Sequence, residues 1–380
     1  MLKLVQVVNT APGTATGGGS SRALALDQFV DAQGGARIMV QDSAWLRSRV
    51  RRLMRPVSLV REIARSGPDI LVFRYPGFPF FWSTRRNLDL ARSLVFLLLL
   101  KRVVRLRGCH VIVDMLDLVR YPSPNPDLAL GVSDRLLGYL ERCLFAAADE
   151  LWACSEAIRH HLVETYTLPE ENVRIVLNGS FRDDGPGAGV PEAISGESFN
   201  FFYAGDLARG WRGAEIMLDA FVAKITDGSA RLILCGTNGE WIAGCYPDSR
   251  IVNLGPLLAQ EVSAVGRMCH VGLIPQPECG YYHLAFPAKL GLYLALGLPV
   301  VTSCAKEAAD FVQGHGLGVV ASAEAFGEGM RDIMADRGML QRYRQAAAEL
   351  SEAFYWDNIY GSALAEFKAR ISGCATEAGR

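Results

Sequence analysis

The sequence lacks the cysteine pattern of a disulfide-stabilised or zinc-binding protein. It has nine cysteines in 380 residues, an odd number, and no two of them stand at C-x-x-C spacing. This excludes a regular disulfide framework and a cysteine zinc site. The cysteines are scattered through apolar stretches such as Leu232 to Cys235. The scatter predicts buried free thiols and therefore a reducing compartment, the cytoplasm.

The sequence also lacks long hydrophobic runs. The longest wholly apolar run, Leu94 to Leu100, is followed by Lys101 and falls far short of the roughly 20 residues that span a bilayer. Met1 to Val8 has no basic region, long apolar core or cleavage site. It predicts a strand rather than a signal peptide. We therefore expect no membrane-spanning segment.

Two common phosphate-binding motifs are missing. Glycines 17 to 19 follow the first predicted strand, but no P-loop lysine comes after them, and they do not have the G-x-G-x-x-G spacing of a dinucleotide site. With Ser20 or Ser21 as the helix cap, these glycines predict a loop. The loop is either a structural turn or, as the family resemblance given below implies, a ligand-facing loop with Gly18 and Gly19 in contact with substrate.

Acidic residues are scarce in one region of a chain whose net charge is only −1. Residues 47–107 contain 15 basic and 3 acidic residues, and such an excess attracts polyanions. The region fits a solvated helix surface, a site for anionic lipid headgroups or a site for a diphosphate-linked acceptor. Nucleic acid is less favoured, because the region has no recognisable nucleic-acid-binding module.

What is present is a regular alternation. Short β-rich runs alternate with segments of helical period, the pattern of parallel sheets covered by helices, and the length favours two domains. Residues 183–196, rich in Gly, Pro and Asp, are the linker candidate between two such series. The sequence therefore predicts an α/β protein with two Rossmann-like domains. The predicted strands are Leu4 to Val8, Arg37 to Val40, Ile70 to Phe73, His110 to Asp114, Glu150 to Cys154, Val173 to Leu177, Phe199 to Ala204, Ala230 to Cys235, Arg250 to Asn253, Val271 to Ile274, Val300 to Ser303 and Gly318 to Ala321.

Several stretches resemble the retaining glycosyltransferases of family 4 and their relatives. In the first half these are 16–21 (TGGGSS), 111–117 (VIVDMLD), 148–156 (ADELWACSE) and 173–179 (VRIVLNG). In the second half they are 202–213 (FYAGDLARGWRG), 232–236 (LILCG), 286–301 (FPAKLGLYLALGLPVV) and 354–357 (FYWD). The stretch 286–301 is the most specific match.

The resemblance implies the two-domain B-type glycosyltransferase fold, with parallel sheets facing across a cleft. It assigns residues 1–182 to an N-terminal, acceptor-side domain and 183–197 to a linker. Residues 198–355 would form the C-terminal domain that binds the nucleotide sugar. Residues 356–380 would form a helix that crosses back to the N-terminal domain.

Departure of a nucleoside diphosphate requires positive charge near its phosphates. Arg209 and Arg212 lie three residues apart in the turn after a predicted strand, so both could reach one pyrophosphate. The resemblance places an Arg or Lys in this loop for that purpose, beside Asp206. Lys289 begins a predicted helix and is the second phosphate contact we predict. The alternatives are a pair of exposed surface arginines and a helix lysine of no function.

Glycines end two strands of the second predicted sheet. At Gly205 and Gly236 a missing side chain would let a nucleotide approach the backbone, although tight turns would explain both. Asp117 stands where the family carries an acceptor-facing aspartate and is predicted either to orient an acceptor hydroxyl or to cap its loop. The predicted catalytic residues are therefore Asp117, Arg212 and Lys289. No cofactor or metal is implied.

The sequence departs from the family where two glutamates eight residues apart are usual, because Leu284 and Leu292 occupy those positions. Glu278 is a candidate substitute for a missing carboxylate, and Tyr282 a candidate for the sugar pocket. We expect a glycosyltransferase that moves a sugar from a nucleotide diphosphate sugar to a glycan or lipid-linked glycan precursor, cytoplasmic and peripheral to the inner face of a membrane. The alternatives are a degenerate scaffold that stabilises a partner enzyme and, with less support, a sugar-nucleotide epimerase.

Overall fold

The computed structural model describes residues 2–8, 18–40, 49–75, 86–120, 133–182, 194, 198–210 and 212–377. The described residues form two compact units. Unit 1 takes those within 2–8, 23–176 and 363–377, and unit 2 takes those within 18–22 and 177–362. Residues 183–193 and 195–197 of the predicted linker lie outside the described part, so the predicted domain bounds stay predictions. Ile194 is described and is buried in the core of unit 2.

Unit 1 contains a six-stranded parallel sheet. Its strands are β1 (Leu4–Val8), β2 (Ala36–Met39), β3 (Ile70–Tyr75), β4 (His110–Met115), β5 (Glu150–Ala153) and β6 (Val173–Ile175). They lie in the order β2-β1-β3-β4-β5-β6. Every residue of β1 is buried, as expected for a strand covered on both faces, which is why it is recognised as a near-continuous apolar run.

Helices connect the strands of unit 1. The first residues of α1, 18–22, belong to unit 2. The helices are α1 (Gly18–Ala32), α2 (Arg49–Ser66), α3 (Arg86–Arg107), α4 (Asp134–Phe145) and α5 (Glu156–Tyr166). The hydroxyls of Ser133 and Ser155 accept hydrogen bonds from backbone N–H groups in the first turns of α4 and α5. Such caps satisfy donors that have no partner inside the helix.

Unit 2 contains the second six-stranded parallel sheet. Its strands are β7 (Phe199–Ala204), β8 (Ala230–Cys235), β9 (Ile251–Asn253), β10 (Val271–Ile274), β11 (Val300–Thr302) and β12 (Gly318–Val320). They lie in the order β12-β11-β10-β7-β8-β9. The order reverses beside β7, so the carboxyl ends of β7 and β10 flank the topological switch point, where α/β sheets usually bind ligands.

Helices also connect the strands of unit 2. They are α6 (Ala214–Lys224), α7 (Ile242–Cys245), α8 (Ala259–Arg267), α9 (Ala288–Ala295), α10 (Lys306–Gly314), α11 (Phe326–Ala335) and α12 (Arg337–Leu350). A 3-10 turn, Ser351–Phe354, separates α12 from α13 (Trp356–Glu377).

Alternate residues of β7 enter two separate cores, one on each face of the second sheet. Phe202 and Ala204 belong to one buried cluster, and Phe201 and Tyr203 belong to the other. This alternation follows from the two-residue period of a strand. The all-apolar sequence of β7 is therefore explained by burial on both faces.

A buried carboxylate lies at the start of β5 in unit 1. Glu150 is fully buried, and its Oε1 accepts hydrogen bonds from Arg174 Nε at 2.9 Å and Trp152 Nε1 at 2.7 Å. Its Oε2 accepts a hydrogen bond from Arg370 Nη2, in α13, at 2.8 Å. Removing one cation from such a cluster leaves a buried charge with less compensation.

The eight cysteines whose side chains the structure describes are free thiols. Four of them, at 109, 154, 235 and 269, are buried as predicted, whereas Cys245 is exposed because it ends a short surface helix. Among the described residues, no helix is both long enough and apolar enough to cross a membrane.

Candidate active site

The backbones of Gly205 and Gly236 touch at the carboxyl edge of the second sheet. A Cβ added to Gly236 would stand 1.6 Å from the carbonyl oxygen of Gly205. Gly205 itself has a φ of +145°, which side-chain-bearing residues rarely adopt. Its N–H donates to the carbonyl of Cys235 at 2.9 Å. Both predicted glycines therefore form a surface without side chains at the ends of β7 and β8.

Lys289 lies over this glycine surface. It is the second residue of α9, as the sequence predicted for a residue that begins a helix. Its Nζ lies 3.7 Å from the centre of the Tyr203 ring and 3.5 Å from where a Cβ on Gly205 would stand. The hydroxyl of Tyr203 donates to the carbonyl of Asp206 at 2.8 Å. Within the described part of the chain, the ammonium has a cation–π partner but no carboxylate within salt-bridge distance.

Tyr293 fixes the helix that carries Lys289. The two residues are four apart in α9 and so project from the same face. The Tyr293 hydroxyl accepts from the N–H of Ala204 at 3.1 Å and lies within hydrogen-bond distance of the carbonyls of Phe202 and Leu273. These contacts hold α9 against the ends of β7 and β10.

Arg212 brings a second positive charge to the same edge. Its Nε lies 3.8 Å from Asp206 Oδ2. Burial away from water and then the nearby Arg212 charge hold the pKa of Lys289 well below its ordinary value, while Asp206 acts in the opposite direction. Arg212 and Lys289 therefore place two basic groups near one carboxylate. A bound anion would relieve the repulsion between the two cations.

A glycine contact positions the Arg212 turn. Gly213 has a φ of +76°, and a Cβ there would stand 1.6 Å from the carbonyl oxygen of Pro275. The start of α6 thus packs directly against the loop that follows β10. The sequence analysis did not single out Gly213, although its place just before a predicted helix was a signal.

Asp206 is held by neighbours on two loops. Its Oδ1 accepts hydrogen bonds from the N–H of Ala208 at 3.0 Å and from Asn238 Nδ2 at 2.8 Å. Asn238 has a φ of +59°, in the left-handed region that asparagine tolerates better than most residues. Sequence reasoning missed Asn238, although a Gly-Thr-Asn-Gly turn after β8 was visible in the sequence.

Arg209 and Arg212 contact different groups. The Arg209 Nε lies 3.4 Å from Glu215 Oε1, and its guanidinium carbon lies 4.9 Å from the centre of the Trp241 ring. The two arginines were expected to reach one pyrophosphate together. In the structure Arg209 contacts Glu215 and Trp241, whereas Arg212 lies near Asp206. The binding roles of both residues stay predictions.

Tyr282 lies beside Arg212, whereas Glu278 faces another group. Tyr282 is buried, and burial raises the pKa of its hydroxyl to about 12, against the opposing effect of the Arg212 charge. Glu278 is exposed and interacts with the thiol of Cys304. Burial, followed by this carboxylate, raises the pKa of Cys304.

Two polar side chains missed by sequence reasoning follow the neighbouring strands. Gln276 comes two residues after β10 and Ser303 directly after β11, and both are almost wholly buried. Among the residues that the structure describes, neither Gln276 Oε1 nor Ser303 Oγ has a hydrogen-bond partner. The carboxyl ends of parallel strands meet at one edge of a sheet, and this rule was the signal that could have identified them. Unpartnered buried polar atoms are uncommon and fit a site for polar ligand groups.

The remaining predicted residues lie elsewhere in the fold. In unit 1, Asp117 follows β4, and its Oδ1 accepts from the N–H of Leu118 at 2.8 Å. The predicted glycine loop is corrected, because α1 already begins at Gly18 and contains Gly19. Ser20 and Ser21 consequently lie inside the first turn rather than before it. The first N–H groups of a helix have no partner inside it, and a glycine there leaves them uncovered.

The leucines that replace the usual glutamates are partly buried. Leu292 lies in α9 and packs against a core cluster of unit 2, and Leu284 lies in the loop before that helix. Neither supplies a carboxylate at this edge. Among the residues that the structure describes, no three His, Cys, Asp or Glu side chains group closely enough to hold a metal ion.

Residues 198–336 match the family described as glycosyl transferases group 1. Over 98% of its length the chain superposes on all of a sucrose-phosphate synthase from Thermosynechococcus elongatus, with a TM-score of 0.68 and 14% identity. Anabaena HepE, solved in complex with UDP-glucose, matches 97% of this chain and 100% of its own at a TM-score of 0.65 and 14% identity. A glycosyltransferase from Rickettsia africae matches 97% of this chain and 98% of its own at a TM-score of 0.64 and 13% identity.

No curated protein sequence matches the chain. At these identities the likeness to solved structures concerns the fold. That fold is the predicted two-domain B-type arrangement, with two six-stranded parallel sheets and their flanking helices. Within this fold, residues 198–336 form a domain similar to the group 1 glycosyl transferases.

Proposed function

We propose that the chain transfers a sugar from a nucleotide diphosphate sugar, linked to UDP or GDP, to a hydroxyl of a glycan or lipid-linked glycan precursor. The product would enter cell-surface polysaccharide or glycoconjugate synthesis, with retention at the anomeric carbon. The match of residues 198–336 to the group 1 glycosyl transferases and the UDP-glucose bound by Anabaena HepE support a nucleotide sugar as donor.

The observation that carries the proposal is the pair of cations at the carboxyl edge of the second sheet. Arg212 lies 3.8 Å from the carboxylate of Asp206, which already accepts two hydrogen bonds, and Lys289 is near enough for both charges to act on its ammonium. Gly205 and Gly236 present backbone without side chains at the ends of β7 and β8. The negative charge of a diphosphate complements the basic side chains, and its oxygens can accept hydrogen bonds from exposed backbone N–H groups.

In the proposed reaction, Arg212 and Lys289 stabilise the negative charge that develops on the departing diphosphate. This assistance requires no protein nucleophile and no bound metal. Asp117 orients the acceptor hydroxyl. Gln276 and Ser303 supply hydrogen bonds to donor hydroxyls, which would satisfy their unpartnered buried atoms. Arg209 and Glu278 are exposed and contribute less.

We place the reaction at the cytoplasmic face of a membrane. The free thiols support a reducing compartment. The basic residues within 47–107 support an acceptor or a surface of negative charge.

The test is calorimetric titration of the purified chain with UDP, GDP and several of their sugars. We expect micromolar affinity for one nucleotide family, lowered about tenfold or more by Arg212→Ala and by Lys289→Ala, since charge-assisted phosphate contacts are lost. Arg331→Ala is the matched control, because Arg331 is an exposed arginine in α11 that forms a salt bridge with its neighbour Asp332. Equal losses in all three variants would count against the proposed site.

The alternative is a degenerate scaffold that keeps the fold and stabilises a partner enzyme. Leu284 and Leu292 favour it, because they replace carboxylates that many relatives use. The absence of binding to every nucleotide tested would favour the scaffold. Turnover of one donor, measured as nucleotide release, would exclude it.

A further inference from the structure

Three neighbouring helices of unit 1 expose large apolar side chains beside basic ones. Helix α2 packs against α3, and α3 packs against α4. Lone exposed apolar residues are common on proteins. Here four of the large ones and a tyrosine occur on helices that pack side by side. We call the outward side of α2, α3 and α4 the three-helix face.

Helix α3 carries most of the apolar surface. Leu98 is 56% exposed and Leu106 is 85% exposed, and Val95 is exposed as well. Val95, Leu98 and Leu106 are separated by three and eight residues, so they project from one side of the helix. Lys101 and Arg102 are exposed between them.

Helix α2 repeats the pattern. Met54 is exposed, and Arg61 and Arg65 are exposed seven and eleven residues further on, which places them on the same side of the helix.

Helix α4 presents the exposed Tyr139 between two exposed arginines, Arg135 and Arg142. Their spacings of four and three residues again place them on one side. A tyrosine combines an apolar ring with a hydroxyl that suits a membrane–water boundary.

The charge of the three-helix face is positive. Among the acidic side chains that the structure describes on these helices, Glu141 is buried and Glu62 is paired with the buried Arg55. Asp134 is exposed, but Arg120 binds both of its oxygens, at 2.9 and 2.8 Å. The exposed bases therefore have little competition from acidic groups. Arg55, counted among the basic residues of 47–107, is not available to a ligand.

We infer that the three-helix face docks flat on the surface of a bilayer that contains anionic phospholipid. Apolar side chains enter the headgroup layer while lysine and arginine pair with phosphate, the arrangement of an interfacial surface rather than of a spanning helix. A second copy of the chain fits worse, because two positive faces would repel each other. The inference rests on the proposed function, because a lipid-linked acceptor is the reason for the protein to approach a membrane. The three-helix face is the surface that would contact the membrane.

The test is flotation of the full-length protein with vesicles of phosphatidylcholine, alone or with about 30% phosphatidylglycerol, in the absence of nucleotide. Binding is expected only with the anionic vesicles, and it should fall about tenfold or more when salt screens the charges. The double variant Leu98→Glu/Leu106→Glu should lower binding by a similar factor. Leu258→Glu/Met268→Glu is the matched control, since both residues are exposed apolar positions of unit 2.

Equal flotation with neutral and anionic vesicles would overturn the inference, and so would full binding by the Leu98→Glu/Leu106→Glu variant. Displacement by soluble glycerol phosphate would show a free phosphate site instead of a bilayer surface. Self-association in sedimentation velocity, abolished by the same variant, would assign the face to a second copy. Since no nucleotide is present, failure here is distinguishable from failure of nucleotide binding in the calorimetric titration.

Discussion

The hydroxyl of Tyr293 accepts a hydrogen bond from the N–H of Ala204 at 3.1 Å, which joins α9 to the carboxyl end of β7. Tyr293→Phe removes this acceptor from a buried donor. We expect the free energy of unfolding, measured in urea, to fall by about 1–3 kcal/mol. The KM for the donor should rise more than kcat falls, because Lys289 lies one helical turn away. Tyr246→Phe is the control, since its hydroxyl bonds Asp219 at an exposed site, and an equally large effect there would contradict the assignment.

Gly236→Ala tests the close approach of two backbones. The new Cβ would stand 1.6 Å from the Gly205 carbonyl oxygen, so β7 and β8 must separate at their ends. We expect a loss of about 1–3 kcal/mol in the free energy of unfolding and no measurable nucleotide binding by calorimetry. Gly228→Ala adds a Cβ where no atom lies within 4 Å and should leave both properties unchanged. Wild-type affinity in Gly236→Ala would show that the ligand binds elsewhere.

The pH dependence of donor binding follows from Lys289. Burial and the Arg212 charge hold its pKa well below 10.5 in the free protein, and a bound diphosphate raises that pKa again. Between the two pKa values, binding takes up a proton, so affinity should fall as pH rises through this window. Below the lowered pKa, this group adds no pH dependence.

Calorimetry in two buffers of different ionisation enthalpy measures the proton uptake. Lys289→Ala cancels the contribution of the lysine and leaves only the titration of the nucleotide itself. Identical proton uptake by the wild type and Lys289→Ala would rule out Lys289 as the group that titrates.

Ser303→Ala separates stability from function. Ser303 Oγ is buried and has no hydrogen-bond partner in the described part of the chain, and removing such a group relieves a desolvation cost. The free energy of unfolding should therefore rise by about 1 kcal/mol. Donor affinity should fall at the same time if the hydroxyl bonds the sugar. Thr302→Val provides the contrast, since that hydroxyl donates to the carbonyl of Ser303 at 3.3 Å and its loss should destabilise. A destabilised Ser303→Ala would mean that the hydroxyl has a structural partner.

The strands were predictable because burial on both faces leaves an unbroken apolar run. For the strands Leu4–Val8 and Phe199–Ala204, the predicted first and last residues are those of the structure. The end of β6 was less predictable. The sequence predicted a strand through Leu177, but it ends at Ile175. The apolar pattern continues past the last paired residue, and the end of pairing depends on neighbouring strands.

Only those site residues that lie at the ends of parallel strands could be located from the sequence. Gly205 and Gly236 follow from the rule that ligands meet the carboxyl ends of parallel strands. The direction of Arg209 could not be predicted, because it depends on Trp241, more than thirty positions away in the chain. The lack of partners at Gln276 and Ser303 likewise depends on packing that no local pattern records.

The binding of Glu150 by Arg370 has a consequence for synthesis on the ribosome. Glu150 is buried in unit 1, whereas Arg370 follows every residue of unit 2 in the chain. Translation therefore delivers the whole of unit 2 before this partner of the Glu150 carboxylate exists. Unit 2 is free to fold during elongation, and unit 1 completes its buried charge cluster only after residue 370 has left the exit tunnel.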